Sequence, residues 1–152
     1  MYDEIVDEID NSFGQLSNFA DVVAFSRKFG LAAPEGPTLL DAETAEYRRR
    51  FLHEELDEYV LAYQSGDLAG AADALVDLVY VALGTAYLMG LPWQELWDEV
   101  QRANMAKRRA ISADESKRGS KLDVVKPVGW TPPDIEGVLS RCRQRLNRGS
   151  LG

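Results

Sequence analysis

Residues 53–77 read HEELDEYVLAYQSGDLAGAADALVD. Glu54 and Glu58 stand at i, i+4 and Glu55 and Glu58 at i, i+3, spacings that set carboxylates on one face of a helix. Asp73 and Asp77 repeat the i, i+4 spacing in a stretch otherwise built of Ala, Leu and Val. Ser65-Gly66-Asp67 breaks the pattern between them, and so short a connection makes two helices antiparallel neighbours. Counted from residue 66, Glu58 lies eight residues before and Asp73 seven after; Glu55 and Asp77 each lie eleven away. The acids therefore meet at matching heights across the pair. Oxygen-only clusters of this kind suit hard cations such as Mg²⁺ or Mn²⁺. Aspartates in so apolar a helix are expected to be buried, and a buried carboxylate needs a cation or hydrogen bonds to offset its desolvation.

Outward from this stretch, helical spacing dominates. Ile5, Ile9, Phe13, Leu16, Phe19, Val22, Val23, Phe25 and Phe29 give an apolar face over 2–29, interrupted at Gly14 and ended by Gly30. Pro34, Gly36 and Pro37 mark a loop. Asp41 is the N-cap expected for the helix carrying Glu54, Glu55 and Glu58, and Asp67 for the next, which runs to about Met89. Pro92 opens a fourth helix, whose last turn leads into Lys107-Arg108-Arg109, bases that complement the negative end of its dipole. A short final helix is expected from Asp134 to about Leu146. No alternating run predicts a strand. The expected organisation is a helical catalytic core over 1–110, with a lid loop and C-terminal helix over 111–152 of the same domain.

The charge is divided along the chain. Residues 1–101 hold 20 acids and 5 bases, and residues 102–152 hold 12 bases and 5 acids. The acidic body argues for cation binding and against nucleic acid, whereas the basic end suits a polyphosphate. The longest apolar run, Leu78 to Leu91, is fourteen residues, short of the roughly 20 a membrane span needs. It predicts a helix buried on nearly all sides, more than one small subunit covers, hence a homo-oligomer. Cys142 is the single cysteine, read as a reduced thiol in a cytoplasmic protein. The lone histidine, His53, is read as a surface residue. With one Cys and one His, neither a zinc site nor a nucleophilic triad has its parts.

Asn104 and Lys107 share a helix face, and Lys117, Arg118, Lys121 and Lys126 follow in the long segment to Pro133. These are the groups expected to meet phosphates, since a metal-bound triphosphate needs positive charge on its far side. Trp130 is expected to pack that segment down. Asn11, Ser12, Asn18 and Phe19 pair amide and hydroxyl groups with an aromatic face, the materials of a base contact.

In order, Glu54-Glu55-x-x-Glu58, Asp73-x-x-x-Asp77 and Asn104-x-x-Lys107 resemble the all-α nucleoside triphosphate pyrophosphohydrolases, which include MazG proteins, dimeric dUTPases and phosphoribosyl-ATP pyrophosphohydrolases. Residues 73–86, Asn104-Met-Ala-Lys107 and Lys126-Pro-Val-Gly-Trp130-x-Pro-Pro-Asp134 are similar to short MazG-like phage proteins. The resemblance covers roughly residues 17–139. It implies an oligomeric antiparallel helical bundle of the all-α MazG-like type, as dimer or tetramer. Glu55 and Glu58 match the family's principal metal ligands, Glu54 the leading acid of its motif, and Asp77 its aspartate. Ala74 stands where many members have glutamate, and Asp73 keeps an acid one position earlier. Asn104, Lys107 and Lys126 match positions that bind nucleotide or phosphate.

The implied reaction cleaves the α–β phosphoanhydride of a (d)NTP, giving the monophosphate and pyrophosphate, with two or more Mg²⁺ or Mn²⁺ ions per site. Glu54 and Glu55 are the acids expected at the attacking water. Likeness to the MazZ type favours (d)GTP; dUTP or dCTP hydrolysis by the same fold is the nearest alternative. A non-catalytic acidic bundle that docks a basic partner is the other. Neither nucleic acid nor a membrane is expected as a partner.

Overall fold

A computed structural model of the chain describes residues 17–149. Among these, five α-helices dominate: α1 (Asn18–Lys28), α2 (Ala42–Ser65), α3 (Leu68–Leu88), α4 (Trp93–Met105) and α5 (Ile135–Gly149). The fold is all-α, as expected. The expectations at residues 2–16, including Asn11 and Ser12, lie outside the described residues. The chain forms two compact units, up to Leu91 and from Pro92 onward.

In the first unit, α2 and α3 start after the caps the sequence nominates, Asp41 and Asp67, and α1 after Ser17, which the sequence reading did not single out. Ser17 accepts from the Ala20 amide, Asp41 from Thr44 and Asp67 from Gly70, each filling an amide that a helix start leaves without a partner. Gly66 ends α2 in the left-handed region, with φ of +72°, where a Cβ would be strained. This tight turn lays α2 antiparallel along α3, and α3 packs on both α1 and α2. The core beneath α1 is Val22, 1% exposed; burying a side chain of that size contributes about 1.5–3 kcal/mol. Beyond α1, the loop is tied to the far end of α3 by two hydrogen bonds: Tyr87 Oη donates to the Leu31 carbonyl at 3.0 Å, and the Thr38 amide to that of Met89 at 3.0 Å.

Helix α3 spans the 21 residues expected between Asp67 and Met89, and by length and composition it would suffice to cross a membrane. Two aspartates in its first half and its packing on the charge-rich α2 give it the place of a bundle's central helix. It departs from the sequence reading in its burial, which is not on nearly all sides: Leu75, Val76 and Val79 are exposed, and they form with Leu83 the apolar wall of a groove of about 520 Å³.

In the second unit, α4 packs against α5. Pro92 precedes α4 without a side-chain cap, and the Asp134 carboxylate accepts from the Gly137 amide at the start of α5. The segment between these helices is not the structureless loop expected. Arg108–Arg109 (β1) pairs antiparallel with Val124–Val125 (β2), and a 3₁₀ turn spans Ala113–Glu115. Buried Ser116 clasps the hairpin: its hydroxyl donates to Asp123 at 2.7 Å and accepts from the Arg118 amide at 3.0 Å. Arg108 pairs with Glu115, which also accepts from the Ile111 amide and is held near pKa 2, first by the guanidinium bond.

Candidate active site

Glu55 is the one acid of the five that the fold buries, at 7% exposure, and its Oε2 has no hydrogen-bond partner. Desolvation is the main cause of its raised pKa. Glu58, Asp77, Glu54 and Asp73 add to it, in that order. The acids named from spacing therefore converge on one buried carboxylate, from its own helix and from the one beside it. The turn at Gly66 achieves this by setting residues 55 and 77 level.

Two expectations change. Asp73 and Asp77 are exposed, because the apolar residues around them on α3 include an exposed face. Ala74, by contrast, is 2% exposed. Asp73 thus stands away from the buried position that Ala74 fills, and its field at Glu55 is the weakest of the four. His53 is exposed, as read.

By donor type these residues suit a hard divalent cation. The donors are all carboxylate oxygens, the buried Oε2 of Glu55 lacks a partner, and none of the five acids forms an ion pair with another described residue. Among the described residues, no three acidic, histidine or cysteine side chains close into a ready-made metal cage. Mutual repulsion among five carboxylates favours that spread.

Glu55 and Asp77 open on a cavity of about 200 Å³ walled by α1, α2 and α3. Phe25, Phe51 and Tyr80 line it, with Phe25 and Tyr80 edge to face at 5.4 Å. Buried Ser26 and the half-buried Arg48 supply its other polar groups. Arg48 went unnamed in the sequence. Its Nε donates to Thr85 Oγ1 at 3.0 Å and its Nη2 to the Val81 carbonyl at 2.6 Å, and burial lowers its pKa. Gly84 eases this approach, since a Cβ there would stand 3.0 Å from Arg48 Nη2 and the guanidinium would have to give by a few tenths of an ångström. The base-contact candidates fare differently. Asn18 lines the separate groove beside Val76 and Val79. Phe19 is not among the residues lining the Glu55 cavity; Phe25 and Ser26, from the same helix, are.

In the second unit, Lys107 Nζ donates to Asn104 Oδ1 at 2.8 Å. Trp130 is docked on the end of α4 through Nε1, which donates to the Ala103 carbonyl at 2.7 Å. Its ring carries the ammonium groups of Lys126 at 4.3 Å and Lys107 at 5.9 Å. Asn104, Lys107, Lys126 and Trp130, scattered over 27 positions, are thus gathered together. Lys107, Lys117, Arg118 and Lys126 line a cleft of about 530 Å³ with Glu115 and Asp123. Arg118 is paired with Asp123 at 2.8 Å; Lys121 is exposed, and its carbonyl accepts from Arg109.

A search of curated proteins finds no match for the chain. The phosphoribosyl-ATP pyrophosphohydrolase family matches residues 22–104, over half of the sequence, from the core of α1 through the carboxylate helices to Asn104. Buried acid, level carboxylates and matched span agree: the chain belongs to the phosphoribosyl-ATP pyrophosphohydrolase family of the all-α MazG-like superfamily, hydrolases of nucleotide phosphoanhydrides.

Proposed function

We propose that this protein cleaves the α–β phosphoanhydride of a purine nucleoside triphosphate, (d)GTP foremost, with Mg²⁺ or Mn²⁺ held by Glu54, Glu55, Glu58, Asp73 and Asp77. The observation that carries the reading is the partnerless buried carboxylate of Glu55, ringed by four acids beside an aromatic cavity. A bound divalent ion would neutralise the polyphosphate and lower the pKa of its water. The exposed Glu54 carboxylate takes the proton of the attacking water, a task open to a carboxylate in its ionised form. Glu55, Glu58, Asp73 and Asp77 orient the charge, and Phe25, Phe51 and Tyr80 receive the base against their ring faces.

In this reading Asn104, Lys107 and Lys126 bind phosphate oxygens, Lys121 and Arg118 add positive charge, and Trp130 holds the two lysines in place. The test is a panel of ribo- and deoxyribonucleoside triphosphates in Mg²⁺ with products separated chromatographically. Monophosphate and pyrophosphate in equal amounts are expected; orthophosphate and diphosphate, or no turnover of any triphosphate, would refute it.

A further inference from the structure

We propose that Arg48 selects the nucleobase, admitting bases that present a carbonyl, guanine first, and rejecting those that present an amino group in its place. The proposal rests on the pyrophosphohydrolase reading of the same cavity. Arg48 is a half-buried guanidinium that forms no ion pair with any described residue, and it lines the cavity with Phe51 and Tyr80. Its guanidinium lies over the Phe51 ring, 5.4 Å from the centroid, and so stands beside a ring face proposed to receive the base. Two of its donors are committed to Thr85 and Val81, and Nη1 has no partner among the described residues.

A guanidinium offers only donors and does not give up its proton. Guanine, hypoxanthine and uracil present a carbonyl oxygen at the ring position where adenine and cytosine present an amino group. An amino group there sets donor against donor and leaves both unsatisfied, which is how a polar site discriminates most sharply. The spacing agrees. Arg48 lies seven residues before Glu55 on α2, about 10 Å along the helix, so a base held at Arg48 points its sugar and phosphates toward the acids. Of the other side chains lining the cavity, Glu55 and Asp77 belong to the acids proposed to hold the metal, and the rest do not discriminate. Phe25, Phe51 and Tyr80 present ring faces that every base tolerates, and the Ser26 hydroxyl both donates and accepts.

The test compares kcat/KM for dGTP and dATP, and for dUTP and dCTP, in the wild type, Arg48→Met, Arg48→Lys and Gly84→Ala, with folding followed by circular dichroism. The wild type is expected to prefer the carbonyl base in each pair. In Arg48→Met the dGTP-to-dATP ratio is expected to fall about ten- to a hundredfold, the worth of a hydrogen bond to a charged group, and Arg48→Lys to restore part of it. If Arg48→Met fails to fold, Arg48→Lys carries the test: it keeps the charge but not the planar fork, and an unchanged dGTP-to-dATP ratio there overturns the proposal; Gly84→Ala, which asks the guanidinium to give by a few tenths of an ångström, is expected to lower the ratio by less. A wild-type preference for dATP and dCTP, or an unchanged ratio in folded Arg48→Met, overturns the proposal while leaving hydrolysis standing. No turnover of any triphosphate by the wild type overturns the activity on which it rests.

Discussion

Asp77 raises the pKa of Glu55 from the neighbouring helix, and the two residues, eleven on either side of Gly66, line one cavity. The pairing places a buried acid where a second acid weakens its hold on negative charge. Such an arrangement is unfavourable to the bare fold and favourable to a bound cation.

Glu55→Gln is therefore expected to abolish turnover while raising the melting temperature in excess chelator. The sign follows from linkage. The pKa of Glu55 is raised in the folded chain, so its contribution is most favourable below the ordinary carboxylate pKa and is lost as pH rises through the raised value. Thermal melts in chelator between pH 4 and 8 should show the wild type losing stability relative to Glu55→Gln across that window. Parallel curves would show that Glu55 is not the strained group.

Glu99 has the opposite sign. Its carboxylate accepts from Arg102 and from the Asp134 amide and is held near pKa 2, first by the Arg102 bond. This contribution is full above the ordinary glutamate range and fades as pH falls toward 2. Glu99→Gln is expected to lessen the acid sensitivity of residues 92–149, followed by amide exchange in α4 and α5.

Turnover is expected to vanish in excess chelator and to return with Mg²⁺ or Mn²⁺. Glu58→Gln and Asp77→Asn should each lose most activity with helical content unchanged, since removing one charge weakens the whole oxygen cluster. Near-wild-type rates in both would place the chemistry elsewhere.

Leu75, Val76 and Val79 leave an apolar strip of α3 in water, and we expect a second copy of the chain to cover it, as dimer or tetramer. Light scattering at micromolar concentration reads the mass directly. Val76→Lys and Val79→Lys should shift it toward one subunit. A monomer mass for the wild type would contradict the expectation.

Residues 111–133 are expected to gain protection from hydrogen exchange when Mg²⁺ and a non-hydrolysable triphosphate are added, because Lys126 and Lys107 meet the phosphates. Trp130→Phe, which removes the bond to the Ala103 carbonyl, should cost about 1 kcal/mol of stability and reduce that protection. A response confined to α2 and α3 would leave the hairpin without a part in binding.

How much of this was legible before the structure depends on how local each signal is. Asp41, Gly66 and Asp67 act within one turn of their own helix, and counting outward from Gly66 placed Glu55 level with Asp77. The hairpin escaped notice because its strands are two residues each and its clasp centres on Ser116 and Asp123, seven positions apart with no pattern to mark them. Arg48 was hidden in Arg48-Arg49-Arg50, a run that reads as solvated charge. Arg49 and Arg50 do lie in water beside Glu46, and only Arg48 turns inward. The same outward count would have found it: residue 48 is eighteen before Gly66, and Gly84, whose missing Cβ leaves room for Nη2, is eighteen after.

That vacancy on α3 has an evolutionary side. A methyl group added at residue 84, on another helix, would stand 3.0 Å from Arg48 Nη2 and press on the group proposed to choose the base, with Arg48 itself unaltered. Positions 48 and 84 should accordingly vary as a linked pair among descendants of this sequence, with a larger residue at 84 tolerated only where 48 has become shorter.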